Sequence, residues 1–351
     1  MTVRVVHVQG DARRRGLEMG RALAEPIHRS LDFYRGFMEK RGFDAARSQS
    51  ALEPFRDAAE NALPDLLREI DGMAEGAEAS WWELFAVNAW EELEPLLLSA
   101  PAARGPDRCS TFTSEGPDGT ILAHNEQWYA GDAGNVALVV ASPDEDPPFV
   151  SPTCVTCLPA VGMNGRHVAQ GIMSLTARDD RVGIPRVMVS RHSLQATGRA
   201  DAVARSTIPG RSGGYAHVFA SPGQGFTVET SATRHAVLEG FRGHTNHYLD
   251  PELAAGDTNG APGTRLRMQR LQTLLETDPP ASPEDAMRIL GDHENAPECL
   301  CLHPDRMEED EAGAVLFSMV CHLEEGRMWV AAGNPCTAPF EEIDVREAVG
   351  P

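Results

Sequence analysis

Cys109-Ser110-Thr111-Phe112-Thr113-Ser114-Glu115-Gly116-Pro117-Asp118-Gly119-Thr120-Ile121-Leu122-Ala123-His124-Asn125-Glu126-Gln127-Trp128 opens the most strand-like part of the chain. Residues Thr111 to Asn125 read as a hairpin with Pro117-Asp118-Gly119 as its turn, because Pro presets φ and Asp and Gly accept the backbone angles a tight reversal needs. The run follows a turn-forming stretch, Arg104-Gly105-Pro106-Asp107, so Cys109 sits at a loop-to-strand junction with hydroxyl residues after it. A core cysteine would normally sit within an apolar run. If the Arg108–Cys109 bond were cut, Cys109 would carry both a thiol and a free α-amine, which together make a nucleophile and its base.

Outward from the hairpin, the two halves of the chain differ. Residues 11–42 read as helix, with apolar residues at three- and four-residue spacing from Gly16 to Ile27 and a break expected at Pro26. More helix is expected from Ser48 to Val87, interrupted near Pro64, and Trp81 to Trp90 is apolar on more than one face, which predicts burial. Past Pro101 the pattern turns to strands: 136–142, 148–158, 168–176, 216–221, 225–230 and 235–238, with a terminal hairpin of 314–320 and 327–332 around Glu325-Gly326. Helices are expected at 185–204, 263–276 and 283–291, and surface loops at 143–148 and 250–263. A helical front, many strands and then paired helices predict an α+β fold with helices packed on antiparallel sheets.

The 351 residues carry 52 acidic against 31 basic side chains, a formal charge of −21, and the only lysine is Lys40. Such a surface repels a phosphate backbone, so nucleic acid is not an expected partner. No apolar run approaches the ~20 residues that span a bilayer, and no membrane partner is expected. Residues 1–10 alternate valine with polar residues like a strand and lack the basic and long apolar regions of a secretion signal. The seven cysteines, Cys109, Cys154, Cys157, Cys299, Cys301, Cys321 and Cys336, are odd in number and thinly spread. That is not a disulfide framework, and a reducing cytoplasm is the expected setting.

Cys154-Val155-Thr156-Cys157 has the short spacing of zinc and redox pairs, and His244, His247 or Cys299, Cys301 and His303 could add ligands. No second Cys-x-x-Cys completes the pattern, and His244-Thr245-Asn246-His247 is not the His-Glu-x-x-His of a metallohydrolase. No metal and no cofactor are expected. Met163, Met173 and Met188 read as core filler.

Several segments together resemble the acyl-coenzyme A:6-aminopenicillanic acid acyltransferase family, a branch of the N-terminal nucleophile hydrolases. They are the glycine-spaced helix from Gly16 to Ile27, Cys109-Ser110-Thr111 with Asp118-Gly119 after it, and Ala123 to Trp128. Further along are Gly162-Met163-Asn164-Gly165, His244-Thr245-Asn246-His247 and Gly333-Asn334-Pro335-Cys336. The resemblance implies an αββα sandwich of two antiparallel sheets between helical layers, one domain over 1–351. It also implies self-cleavage before Cys109, giving an α segment of 1–108 and a β segment of 109–351.

It further implies an amidohydrolase or acyltransferase acting through an acyl-enzyme on Cys109, with a small acylated amine or peptide-like amide as substrate. Asn246 is then the expected oxyanion donor, since an amide donates without changing charge. Thr111, on the same strand face as Cys109, would assist cleavage, and Asn125 would orient the amine or the substrate. Glu126, Gln127, Trp128 and His244 are the candidates for substrate binding, with His247 supporting the same loop. Two positions depart from the family pattern: Arg108 stands where glycine is common, and Gln127 stands where an aspartate is often found, with Glu126 beside it on the opposite strand face. A coenzyme A thioester is open as co-substrate, although no basic cluster awaits its phosphates, and a homo-oligomer is open as well. The alternatives are an uncleaved, non-catalytic relative acting as a binding module, which Arg108 and Gln127 favour, and, behind it, a zinc hydrolase.

Overall fold

Val6 and Val8 are buried while Val5 is 49% exposed, and this period of two forms strand β1 (Arg4–Gly10) in the computed structural model. The structure describes residues 3–97, 109–304 and 312–349. Arg108, the residue expected to precede the cleaved bond, lies outside them.

Among the described residues six helices follow before residue 98: α1 (Ala12–Ala22), α2 (Ala24–Glu39), α3 (Ala45–Ala62), α4 (Pro64–Ala77), α5 (Trp81–Asn88) and α6 (Trp90–Leu97). The break expected at Pro26 falls earlier, at Leu23. Pro26 sits in the first turn of α2, where its missing N–H has no partner to lose. Pro64 likewise starts α4. Asp11 caps α1 by accepting from the Arg14 N–H at 2.8 Å. Of the run expected to be buried, Leu84 to Trp90 are, while Trp81 and Trp82 are half-buried.

The glycine spacing of α1 has a mate in α4. A Cβ on Gly16 would lie 1.9 Å from the Glu69 carbonyl oxygen, and one on Gly72 would lie 2.0 Å from that of Arg13. The two helix backbones therefore touch at a distance only glycine permits. Beside this contact the Glu69 carboxylate accepts from Arg15 at 2.9 Å and Arg191 at 3.2 Å, all three side chains buried.

The remaining strands are β2 (Ser110–Gly116), β3 (Gly119–Tyr129), β4 (Val136–Pro143), β5 (Phe149–Cys154), β6 (Gly162–Asn164), β7 (Ala169–Leu175), β8 (Gly214–Ser221), β9 (Gln224–Thr230), β10 (His235–Glu239), β11 (Gly243–His244), β12 (Gly313–His322), β13 (Arg327–Ala332) and β14 (Glu341–Asp344). The later helices are α7 (Arg186–Ser193), α8 (Arg199–Ser206), α9 (Pro251–Ala254), α10 (Pro262–Thr277), α11 (Pro283–Leu290) and α12 (Val345–Val349). The single helix expected over 185–204 is thus two, and β14 with α12 went unread. Among the described residues one sheet has eight strands, β1-β4-β5-β6-β7-β8-β9-β10, and the other six, β11-β2-β3-β12-β13-β14. Every neighbouring pair is antiparallel except β1 with β4.

The sheets pack face to face. Leu138, Val140, Val150, Met173 and Val218 of the larger sheet meet Leu122, Met319 and Cys321 of the smaller in one apolar core. The helical front covers the other face of the larger sheet through Val6, Val8, Ala137 and Val139. Leu271 of α10 and Ala286, Ile289 and Leu290 of α11 cover Phe112, Ile121, Ala123 and Val320 on the outer face of the smaller sheet. The result is the four-layer αββα sandwich. Among the described residues no helix is long and apolar enough to cross a membrane.

Candidate active site

The β2–β3 register pairs Ser110 with Asn125 and Thr111 with His124, so Cys109 comes opposite Glu126 at the end of the hairpin. Strand alternation then sorts the side chains. His124, Glu126 and Trp128 point between the sheets, whereas Asn125 and Gln127 point at the α10–α11 layer.

The Cys109 thiol lies 3.3 Å from Glu126 Oε1, and the Gln127 backbone N–H points at Sγ from 3.4 Å. Glu126 Oε2 lies 3.1 Å from His124 Nε2, and His124 Nδ1 lies 2.7 Å from Thr111 Oγ1. An ionised carboxylate only accepts, so His124 Nε2 carries the hydrogen and Nδ1 accepts from the Thr111 hydroxyl. Thr111 therefore reaches the thiol through His124 and Glu126 rather than directly. His124 was missed by the sequence reading, although its place two residues before Glu126 on a strand is the signal that finds it.

Cys109 and Glu126 line a cavity of about 90 Å³ whose walls are mainly apolar, with Trp90, Trp128, Ile172, Val187 and Phe317 among them. Phe317 follows a bulge, where β12 slips register against β3 between Val315 and Phe317. Such an irregularity re-aims the next side chain. A second carboxylate of the wall, Glu91, accepts from Ser174 Oγ at 3.1 Å and Tyr215 OH at 3.0 Å, with Arg186 Nε 3.7 Å away. Tyr34, Trp90, Glu91, Ser174 and Tyr215 come from four different elements or loops, and no local pattern marks them as one wall.

Behind Trp128 runs a chain of hydrogen bonds: its Nε1 donates to Tyr34 OH at 2.8 Å, and Tyr34 OH to Asp132 Oδ2 at 3.4 Å. Burial, partly offset by hydrogen bonds from Asn135, Ser30 and Tyr34, pushes the Asp132 carboxyl up from 3.8 to about 6. A carboxyl with a raised folded pKa contributes stability that is present below the unfolded pKa and lost as pH rises through the folded one. Between about pH 4 and 6 the protein should therefore lose about 2–3 kcal/mol from this group. Asp132→Asn should flatten that part of the stability–pH curve, measured by urea unfolding at pH 4.5 and 7.5; an unchanged slope would rule the assignment out.

The other expected site residues divide. Asn246, in the loop after β11, is fully buried, donates from Nδ2 to the Ser174 carbonyl at 3.3 Å and accepts at Oδ1 from Arg267 at 2.9 Å. Arginine has only donors, so Arg267 fixes the amide with Oδ1 toward itself, and Ser174 is part of the cavity wall. Asn125 is turned away from Cys109: its Nδ2 donates to the carbonyls of Leu290 at 3.0 Å and Leu300 at 2.8 Å. Gln127 also donates its side-chain amide to Leu300, and only its backbone reaches the thiol. His244 is spent on Glu229 Oε1 at 2.7 Å and the Thr245 carbonyl at 2.5 Å. It clamps its loop and, like Asn246, which reaches the wall through Ser174, does not itself line the cavity. The Asn125 and Gln127 side chains, expected at the amine or the substrate, instead anchor β3 to carbonyls on the far side of the sheet, and His244 supports its loop by hydrogen bonding, the structural part the sequence allowed it. One residue before Gln127, the Glu126 carboxylate lies 3.3 Å from the Cys109 thiol. His247 joins Thr245 and Thr264 hydroxyls at 3.3 and 3.0 Å.

Cys154 and Cys157 both line the cavity. Burial, reinforced by nearby carboxyl groups, pushes both thiols well up, so they stay protonated at neutral pH. Among the described residues they join no group of three or more metal-ligating side chains.

Two face-to-face antiparallel sheets between helical layers, with a cysteine leading a central hairpin strand, define the N-terminal nucleophile hydrolase fold. Residues 114–337 match the acyl-coenzyme A:6-aminopenicillanic acid acyl-transferase family, and the chain belongs to it. A β-alanyl-dopamine/carcinine hydrolase of Drosophila melanogaster is 25% identical over 215 residues, 57% of this chain. The match takes in 55% of that protein, so the chain spans about half the length of this curated relative. Solved structures that it resembles include a variant of the conjugated bile acid hydrolase from Clostridium perfringens, at TM-score 0.46 and 12% identity, over 69% of this chain and 94% of that one. The penicillin V acylase from Agrobacterium tumefaciens gives TM-score 0.41 and 10% identity, over 69% and 89%.

Proposed function

We propose that the protein is a self-processing amidohydrolase or small-amine acyltransferase whose nucleophile is Cys109. The observation that carries this is the Cys109 thiol at the wall of an apolar cavity, 3.3 Å from Glu126. In processing, the thiol attacks the carbonyl carbon of residue 108 and the peptide nitrogen leaves as the Cys109 amine. Water then hydrolyses the thioester, leaving residues 1–108 and 109–351 as two chains of one fold.

The new α-amine, with a reference pKa of about 8, can take the proton of the thiol beside it. The thiolate attacks the substrate carbonyl, and the oxyanion is held by fixed donors. The Asn246 amide, oriented by Arg267, is the side chain best suited to that task. Collapse expels the amine with the proton held by the α-amine, and water or a second amine releases the acyl group from sulfur. Glu126, tied to His124 and Thr111, keeps an acceptor at the thiol.

The cavity supports a compact substrate with an aromatic or apolar part packed on Trp90, Trp128 and Phe317. Glu91 and Glu126 would favour a cationic amine in it. β-Alanyl-dopamine and carcinine are therefore the first amides to test. The formal charge of −21 disfavours a polyphosphate co-substrate such as coenzyme A, so water or a small amine is the acceptor we favour, with no cofactor. Peptide mass mapping after a rapid quench should find the acyl group on Cys109. Turnover with the adduct elsewhere, or none on any residue, would overturn the proposal.

Gly171 of β7 tests the supporting chain. A Cβ there would lie 2.7 Å from Thr111 Cγ2 and 3.3 Å from His124 Nδ1. Gly171→Ala should displace the Thr111–His124 pair and lower kcat/KM by about 10–100-fold. Circular dichroism checks that the fold survives. An active Gly171→Ala protein would show that the pair does not position Glu126.

A further inference from the structure

On the other side of the six-stranded sheet, side chains from two segments converge. His293, Cys301 and His303 lie between α11 and β12, and Cys336 lies in the turn after β13. Their ligand atoms are all within 4.8 Å of one another. Cys301 Sγ is 3.5 Å from Cys336 Sγ and 3.6 Å from His303 Nε2, which is 3.2 Å from Cys336 Sγ and 3.0 Å from His293 Nε2. Zinc bonds of ~2.3 Å to sulfur and ~2.0–2.1 Å to nitrogen set the edges of a tetrahedral site at about 3.8 Å for S–S, about 3.5 Å for S–N and about 3.3 Å for N–N. Four of the six edges already stand close to those values, and the two from His293 to the sulfurs are within 4.8 Å. A disulfide would instead need ~2.05 Å between the sulfurs and would leave both imidazoles without a part.

We propose that His293, Cys301, His303 and Cys336 bind one Zn²⁺ in a closed, structural Cys₂His₂ site. Four protein ligands leave no open position for substrate or water, which separates a structural from a catalytic zinc. The donor set, two thiolates and two imidazoles, suits zinc rather than calcium or magnesium. Binding converts two thiols to thiolates and releases two protons. The Asn334 amide, 3.5 Å from Cys301 Sγ and 2.7 Å from the Leu302 carbonyl, stands ready to donate to a bound thiolate.

The site also accounts for the side chains that turned away from Cys109. Asn125 and Gln127 anchor β3 to the carbonyls of Leu290 and Leu300, and the metal would close the loop that presents those carbonyls. It stabilises the wall behind Glu126 and does not depend on the chemistry proposed at Cys109.

The test is elemental analysis of the full chain, purified without added metal, followed by exchange of zinc for cobalt. About one zinc per chain is expected, and the cobalt form should show the intense visible bands and thiolate charge transfer of a tetrahedral site. Cys336→Ala combined with His293→Ala changes two exposed residues and should lower bound zinc by about tenfold or more. The exposed-histidine control His235→Asn should retain it. A strong chelator should lower the melting temperature of the native protein and leave that of the double variant unmoved. A chain that neither holds nor takes up zinc or cobalt, a double variant with full zinc content, or a Cys301–Cys336 disulfide in the peptide map would each overturn the site.

Discussion

A Cys109→Ala protein should lose amide turnover by about 10³-fold or more, because removing the nucleophile removes the covalent route and leaves only binding and oxyanion stabilisation. The loss should be specific within one cavity. Cys154 and Cys157 share its wall, yet burial holds their thiols protonated, and neither would gain the free α-amine that cleavage gives Cys109. Cys157→Ala should therefore keep kcat within about tenfold of the native protein, since only packing is disturbed. Cys109→Ser should fall between, as a hydroxyl can attack but ionises far less readily. Initial rates on the first active amide separate the three. Equal losses for Cys109 and Cys157 variants would mean that the cavity, rather than the Cys109 thiol, carries the reaction.

Glu69→Ala should cost about 3–5 kcal/mol of folding stability, the range for removing one partner from a buried ion cluster. The carboxylate, 3% exposed, stands between Arg15 and Arg191, and its loss leaves two desolvated guanidinium groups facing each other. Burial alone would raise this carboxyl, but Arg191 and Arg15 hold it below its ordinary value. A depressed folded pKa means that the contribution is present above the unfolded pKa and lost as pH falls through the folded one. The gap between native and Glu69→Ala proteins in urea midpoint should thus narrow toward acid pH. A variant within 1 kcal/mol of native at pH 7 would contradict this account.

The hairpin that leads from Cys109 was legible because its turn residues and its flanking strands agree. Its phase was not. β3 is buried on both faces, with His124, Asn125 and Gln127 all at 0% exposure, so hydrophobic alternation does not show which side chains face the nucleophile. Alternation placed Glu126 and Gln127 on opposite faces without saying which face holds the thiol, and the fold aims Glu126 at the thiol and Gln127 at Leu300. The glycine spacing of α1 was visible in sequence, while its mate in α4 lies some fifty residues on and becomes evident only when the backbones touch. Asn246 was readable as an amide in a histidine-flanked turn, but Arg267, which orients it, comes from a helix two elements away. The cysteines were counted correctly, and Cys301 and His303 were weighed as ligands. The partners that complete their cluster, His293 and Cys336, are brought in by an exposed loop and a turn that share no local pattern.

The central claim is that Cys109 becomes a nucleophile by cutting the chain before itself, and intact-mass measurement of native and Cys109→Ala proteins purified side by side tests it most directly. The account predicts two chains from the native protein, meeting between residues 108 and 109, and one full-length chain from the variant. A native protein that stays whole while turning over amides, or cleavage that proceeds equally in both, would contradict it.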